Sequence, residues 1–250
     1  MADEPDFIGE VIEASTAEFA AESRELHSPP AFGSFVKVLW SGGESAPLPN
    51  ASTGSGAVPL EDDDPFMQPF RQKEGSFGPE YRGSVEGESA EPVARLVPAI
   101  YGIVHQALTG SRDSNRRLRA YWKGEERLKE EQPELSEWLL VTEFRAVVIG
   151  YAAGGLVRRI LPPRPPKIYS FVYPCTPDEI RLISSKMDFL RTLANFSSAP
   201  SEEVVAACVR EADAARGGDF EFLVAAGKEL ATLFREDYDR LQAIMRRVAP

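Results

Sequence analysis

Apolar and polar residues alternate along the first forty residues with the two-residue period of strands. In Phe7–Thr16, Ile8, Glu10 and Ile12 share one face and Gly9 and Val11 the other. Ala17–Ser23 returns with Phe19 and Ala21 inward, Ser28-Pro29-Pro30 breaks the pattern, and Phe35–Trp40 sets Val36, Val38 and Trp40 on one face. The pattern resumes in Val93–Leu108, where Ile100, Gly102 and Val104 oppose Tyr101, Ile103 and His105.

Phe144–Tyr151 is a continuous apolar run centred on Val147, Val148 and Ile149, followed by Gly154-Gly155 and then Leu156–Leu161. A strand, a two-glycine turn and a return strand predict a buried hairpin, because so tight a turn needs positive φ. A membrane span is the competing reading. Only Ala146–Val157 is free of charge, well short of the roughly 20 apolar residues a bilayer requires, and Arg145, Arg158 and Arg159 close both ends. Pro162-Pro163-Arg164-Pro165-Pro166 excludes helix and central strand and predicts a stiff polyproline spacer crossing the outside of a barrel. A ligand for a signalling domain is the alternative. Ile168–Tyr173 resumes as a strand.

At Thr176 the period becomes helical. Thr176-Pro177-Asp178-Glu179 carries a cap, a proline at the first helical position and a capping-box glutamate. Apolar positions predict three helices: one through Ile180, Ile183, Met187, Leu190 and Ala194, a second through Val204, Val205, Cys208 and Ala212 to Gly217-Gly218, and a third from Asp219 to Val248. The expected fold is therefore α+β. Five or six strands over 1–175 carry an insertion at about 41–92 and a charged insertion at about 112–134, and a three-helix region follows over 176–250.

The insertion at 41–92 is rich in Gly, Pro and Ser, with the acidic run Asp62-Asp63-Asp64, and reads as flexible. Gly54-Ser55-Gly56 lacks the third glycine of a dinucleotide fingerprint, and Pro59 bars the helix that should follow. In the second insertion Arg112, Arg116, Arg117, Arg119 and Lys123 stand among Tyr121 and Trp122, a composition that can hold single-stranded nucleic acid. The bland reading pairs Glu125, Glu126, Glu130 and Glu131 with Arg127 and Lys129 on a solvated helix.

The 250 residues, 43% hydrophobic and 27% charged, can bury a core without disulfide or metal staples. A net charge of −11 opposes phosphate backbones and anionic membranes unless positive charge gathers on one face. The opening MADEPD has no basic or apolar leader, and Cys175 and Cys208 are far apart, so a reduced cytoplasmic setting is expected. His27 and His105 are read as packed or surface side chains. No cofactor, catalytic or metal residue is expected. The candidates for a carboxylate enzyme, Glu18, Glu143 and Asp62–Asp64, lack the fixed spacing of a two-metal site.

The stretch IGEVIEAST, then EF, then GSFVKV resembles the N-terminal HAS-barrel shared by HerA-type ATPases and rotary ATP synthase subunits. AIYGIVHQAL and EFRAVVIGY fit the remaining barrel strands, so the resemblance covers most of Phe7–Cys175 outside Ser41–Pro92 and implies a small six-stranded β-barrel over 1–175. With EEQPEL, LPPRPPK and GKELATLF added, the chain is similar to stand-alone HAS-barrel proteins. It departs from HerA in having no P-loop: Gly227-Lys228 is followed by Glu229 inside a predicted helix, without a glycine loop to cradle phosphate. In the larger relatives the barrel crowns a hexameric ring and docks partners, including a NurA-type nuclease. The resemblance implies an assembly or docking role beside a P-loop ATPase or nuclease in DNA processing, or self-association; the absence of a catalytic or P-loop motif makes that role non-enzymatic, and the net charge and the short apolar run argue against direct nucleic-acid or membrane contact.

Overall fold

A computed structural model describes residues 6–40, 97–113, 115, 117–134 and 139–248. The expectations for 41–92 therefore lie outside the described residues. Seven strands form one antiparallel sheet: β1 (Gly9–Ala14), β2 (Glu18–Ser23), β3 (Phe35–Leu39), β4 (Ala99–Ser111), β5 (Leu140–Ala153), β6 (Leu156–Arg158) and β7 (Phe171–Pro174). Their order is β2-β1-β7-β3-β4-β5-β6, and a further β2–β5 pairing closes the first six into a barrel. Closure satisfies backbone groups that an open sheet would leave at its edges. Trp40 donates its backbone N–H to Pro98 O at 2.8 Å, so the chain leaves β3 and re-enters β4 at one point of the ladder.

The inward residues are those the alternation selects. Val11, Phe19, Ala21, Val36, Val38, Ile100, Val104, Phe144, Val148 and Val172 fill the barrel, with Trp40 edge-on to Tyr151 at 5.7 Å. β4 over Ala99–His105 and β5 over Ala146–Ala152 also bury their outer faces. Tyr101, Ile103, Val147 and Ile149 join a second core with the C-terminal helices, as does Phe35 of β3. Burial on both faces explains why residues 146–149 read as a continuous apolar run. Register shifts within β4 and β5 keep the two strands in step while they serve both cores.

Helices α1 (Glu125–Glu131), α2 (Pro177–Ile183), α3 (Asp188–Ala194), α4 (Ser201–Ala214), α5 (Phe220–Leu233) and α6 (Tyr238–Val248) complete the described chain. Five helices thus follow the barrel where the periodicity predicts three. The first predicted helix is broken at residues 184–187. There the Arg159 guanidinium donates to the carbonyls of Leu182 and Ile183, both at 2.8 Å, and to Ser185 Oγ, occupying acceptors at the end of α2. The third is broken after Leu233. Asp237 then starts α6, accepting from Arg240 N at 3.2 Å through its carboxylate and from Leu241 N at 3.1 Å through its carbonyl.

α4 is the central helix of this layer. Val204, Val205, Ala206, Cys208, Val209 and Ala212 are all buried. Gly33, with φ of 89°, lies so close to it that a Cβ there would come within 2.4 Å of Ala207 Cβ. Each fully buried Leu, Phe or Val of this core contributes about 1.5–3 kcal/mol, which makes the barrel–helix seam a large part of what holds the fold.

The expected hairpin is present, with Gly154 and Gly155 at φ of 61° and 77°. It is not buried throughout, however. β5 is buried, whereas β6 is short, lies at the end of the sheet order and exposes Leu156. The return strand cannot run on to Leu161 because the proline run removes ladder donors. The chain then crosses the outside of the barrel without helix or strand until β7, with Pro162 and Pro166 buried and Pro163, Arg164 and Pro165 exposed.

Candidate functional site

Three polar constellations contain the candidate residues. The first is centred on His105, at the point where β4 slips register against β5. The bulge turns the ring out of the barrel sequence and against Phe196, with ring centroids 4.7 Å apart. The residue is only 3% exposed; its Nε2 lies 3.0 Å from Glu18 Oε1 on β2 and its Nδ1 has no hydrogen-bond partner. Arg145 of β5 bonds Glu13 Oε2 of β1 at 2.8 Å and stands 3.7 Å from Glu18. Burial pushes the imidazole below its usual range, against the opposing pull of Glu18. The group is a carboxylate–imidazole pair enclosed by an aromatic ring, and no hydroxyl or thiol among the described residues is hydrogen-bonded to it. With Arg145 and Glu13 it links four strands, β1, β2, β4 and β5.

The second constellation lies under the first turn of α2. Lys37 Nζ of β3 bonds both oxygens of Glu179, at 2.6 and 2.7 Å, and this pair is largely buried. Glu179 also completes the expected capping box with Thr176. Burial first, and the Glu179 carboxylate second, push the Tyr101 hydroxyl and the Cys175 thiol upward. Burial pushes the Cys208 thiol upward as well. These thiols are protonated core groups.

The third is the charged insertion. Arg112 bonds Glu22 at 2.6 Å, Lys123 and the Tyr121 hydroxyl converge on Glu131, and Lys129 pairs with Glu125. His27 is 3.9 Å from the same Glu125. Much of the basic charge is thus met by carboxylates, as the solvated-helix reading expects, although Glu131 takes Lys123 as its partner and Arg127 makes no ion pair among the described residues. Arg117 and Arg119 are likewise unpaired there, Trp122 is 91% exposed, and Arg116 lies outside the described residues. A cleft of about 420 Å³ between this insertion and the barrel rim is lined by Glu22, Arg24, Arg112, Lys129 and Thr142.

The other carboxylate candidates do not converge. Glu18 pairs in register with Val147 and Glu143 with Glu22, so the two sit at opposite ends of the β2–β5 ladder. Asp62–Asp64 lie outside the described residues. Among the described residues no three His, Cys, Asp or Glu side chains are placed to hold a metal ion. Gly227-Lys228-Glu229 lies inside α5.

What sequence reading misses is the contact of His105 with Glu18, and a row of glutamates across the sheet. Glu10 stands opposite Glu22, and Glu22 opposite Glu143, on β1, β2 and β5. Burial does not mark the bulge, because all of Ala99–His105 is buried, and the glutamate row depends on strand register, which no local pattern carries.

Neither the protein-family models nor the curated protein sequences contain a match to this chain. No described helix is long and apolar enough to cross a membrane.

Proposed function

We propose that this chain is a non-enzymatic interaction module built on a HAS-type barrel, an accessory partner of a HerA-like ATPase or its nuclease in cytoplasmic DNA processing. The observation that carries this reading is the segment 156–171 on the outside of the closed barrel. It exposes Leu156, Ile160, Leu161, Ile168, Tyr169 and Phe171 beside Arg158, Arg164 and Lys167. Apolar side chains concentrated in one exposed stretch are what a protein partner buries. The resemblance of the barrel strands to the HerA crown supplies the class of partner.

The test is direct binding of the purified chain to the HerA-like ATPase and to the NurA-type nuclease of the same cells, read by biolayer interferometry. Saturable binding to either, weakened by Tyr169→Glu with Ile160→Glu, is the expected result. No binding to either protein overturns the partner assignment.

A further inference from the structure

We infer that the charged insertion holds a single-stranded nucleic acid, with one base in a cavity beside Leu118, a neighbouring base stacked on Trp122, and phosphates on Arg117 and Arg119. This goes beyond the interaction-module reading and does not depend on it.

The cavity, of about 390 Å³, lies where the insertion folds back on the start of β5, and Arg117, Leu118, Arg119, Tyr121, Leu128 and Leu140 are among the residues that line it. Its walls are mostly apolar, and no carboxylate lines it among the described residues. Arg117 and Arg119 are exposed and make no ion pair among the described residues. Arg127 is likewise unpaired there, and it stands near enough to Tyr121 for its charge to act on the hydroxyl. A base is flat and apolar on its faces and is joined to a phosphate at its margin. An apolar slot with arginines at the rim answers both parts.

Trp122 is the free ring beside that cavity. It is 91% exposed, and its φ of 67° is an outlier for so bulky a side chain. The adjacent Tyr121 is already engaged, with its hydroxyl donating to Glu131 and Lys123 Nζ standing 5.6 Å over its ring. The turn therefore holds one indole out in water with its faces open to stacking.

The net charge of −11 argues against nucleic acid for the chain as a whole, but exposed charges act only over about a Debye length, roughly 8 Å at physiological salt. The acids of α1 are spent or turned away. Glu131 meets Lys123 and Tyr121, and Glu125 meets Lys129. Glu126 and Glu130 each stand two residues from Leu128, about 200° round a helix of 3.6 residues per turn, so they face away from the cavity that Leu128 lines. An acidic protein surface would answer the arginines and leave the slot and the indole unfilled. A duplex would offer phosphates with its bases already stacked. A single strand supplies base and phosphate in alternation.

The experiment is fluorescence anisotropy of fluorescein-labelled oligo-dT and oligo-U titrated with the full chain at low salt. Saturable binding is expected for at least one of them, and the tighter of the two identifies the ligand as DNA or RNA. Log affinity should fall against log salt with a slope of about −2, as for three phosphate contacts on a single strand. Trp122→Ala should weaken binding at least about tenfold, and Trp122→Phe, which keeps a stacking ring, should restore most of it. Arg117→Glu with Arg119→Glu should abolish binding. Lys186→Glu with Lys228→Glu reverses as many exposed charges on the helical layer and should leave binding unchanged. All of these side chains are on the surface, so each variant is expected to keep the circular-dichroism signature of the wild type. No binding to either strand, equal loss from the two charge reversals, indifference to Trp122→Ala, or a duplex bound as tightly as the single strand would each overturn the inference.

Discussion

His105 is a titratable side chain built into a core, and its consequence is a stability that depends on pH. Burial holds the folded imidazole below the ordinary range, so the unfolded chain takes up this proton first as pH falls. The unfolded state then binds more protons than the folded one. Stability is undiminished by this group above about pH 6.5 and declines as pH drops below it. Replacing His105 with Gln keeps a polar contact to Glu18 and removes the titration. The melting temperature of the wild type should therefore fall more than that of the variant between about pH 7.5 and pH 5.5; a constant gap between the two would contradict a neutral, buried His105. The cysteines make a second residue-scale prediction. Cys175 and Cys208 are buried with their thiols held protonated. Ellman's reagent should leave both unmodified in the native protein and titrate both in denaturant, and fast native labelling of Cys208 would place it elsewhere than the core.

Among the elements, the contact between β3 and the start of α2 is the one most open to a clean test. Lys37 and Glu179 form a mostly buried pair, and Glu179 is also the capping glutamate. Lys37→Met and Glu179→Gln should each destabilise, and their double-mutant cycle should show a coupling of about 1–2 kcal/mol in urea unfolding. Gly33→Ala should cost about 2–4 kcal/mol, since it combines a positive φ with a methyl driven into Ala207 of α4. Strand existence was legible in the sequence because period-two alternation is local: Val36 and Val38 face inward as the pattern says, and Thr176-Pro177 starts a helix where its chemistry says. The breaks at residues 184–187 and after Leu233 were not legible. The first depends on Arg159 arriving from a distant hairpin, and Arg235-Glu236-Asp237 looks helical until the Asp237 side chain is seen capping α6.

At the scale of the molecule, the barrel and the helices share a core in which Tyr101, Ile103, Val147 and Ile149 pack against Phe189, Leu193, Val205 and Val209. Neither side can lose this seam and keep its apolar surface covered. Thermal unfolding followed by near-ultraviolet circular dichroism, to which the packed Trp40–Tyr151 pair of the barrel contributes, should coincide with the helical signal at 222 nm; two separated transitions would show that the seam does not couple them. The outer faces of β4 and β5, and the glutamate row, were beyond sequence reading for one reason: both are set by which strands become neighbours when the barrel closes. The same neighbour relations govern the excursion between β3 and β4. Because Trp40 N–H reaches Pro98 O, the barrel holds together the two points between which residues 41–97 run. The site is a port in the engineering sense, where one payload can be exchanged for another or the chain reopened and rejoined elsewhere. A two-residue turn in place of 41–97 should yield a protein that still folds and melts cooperatively.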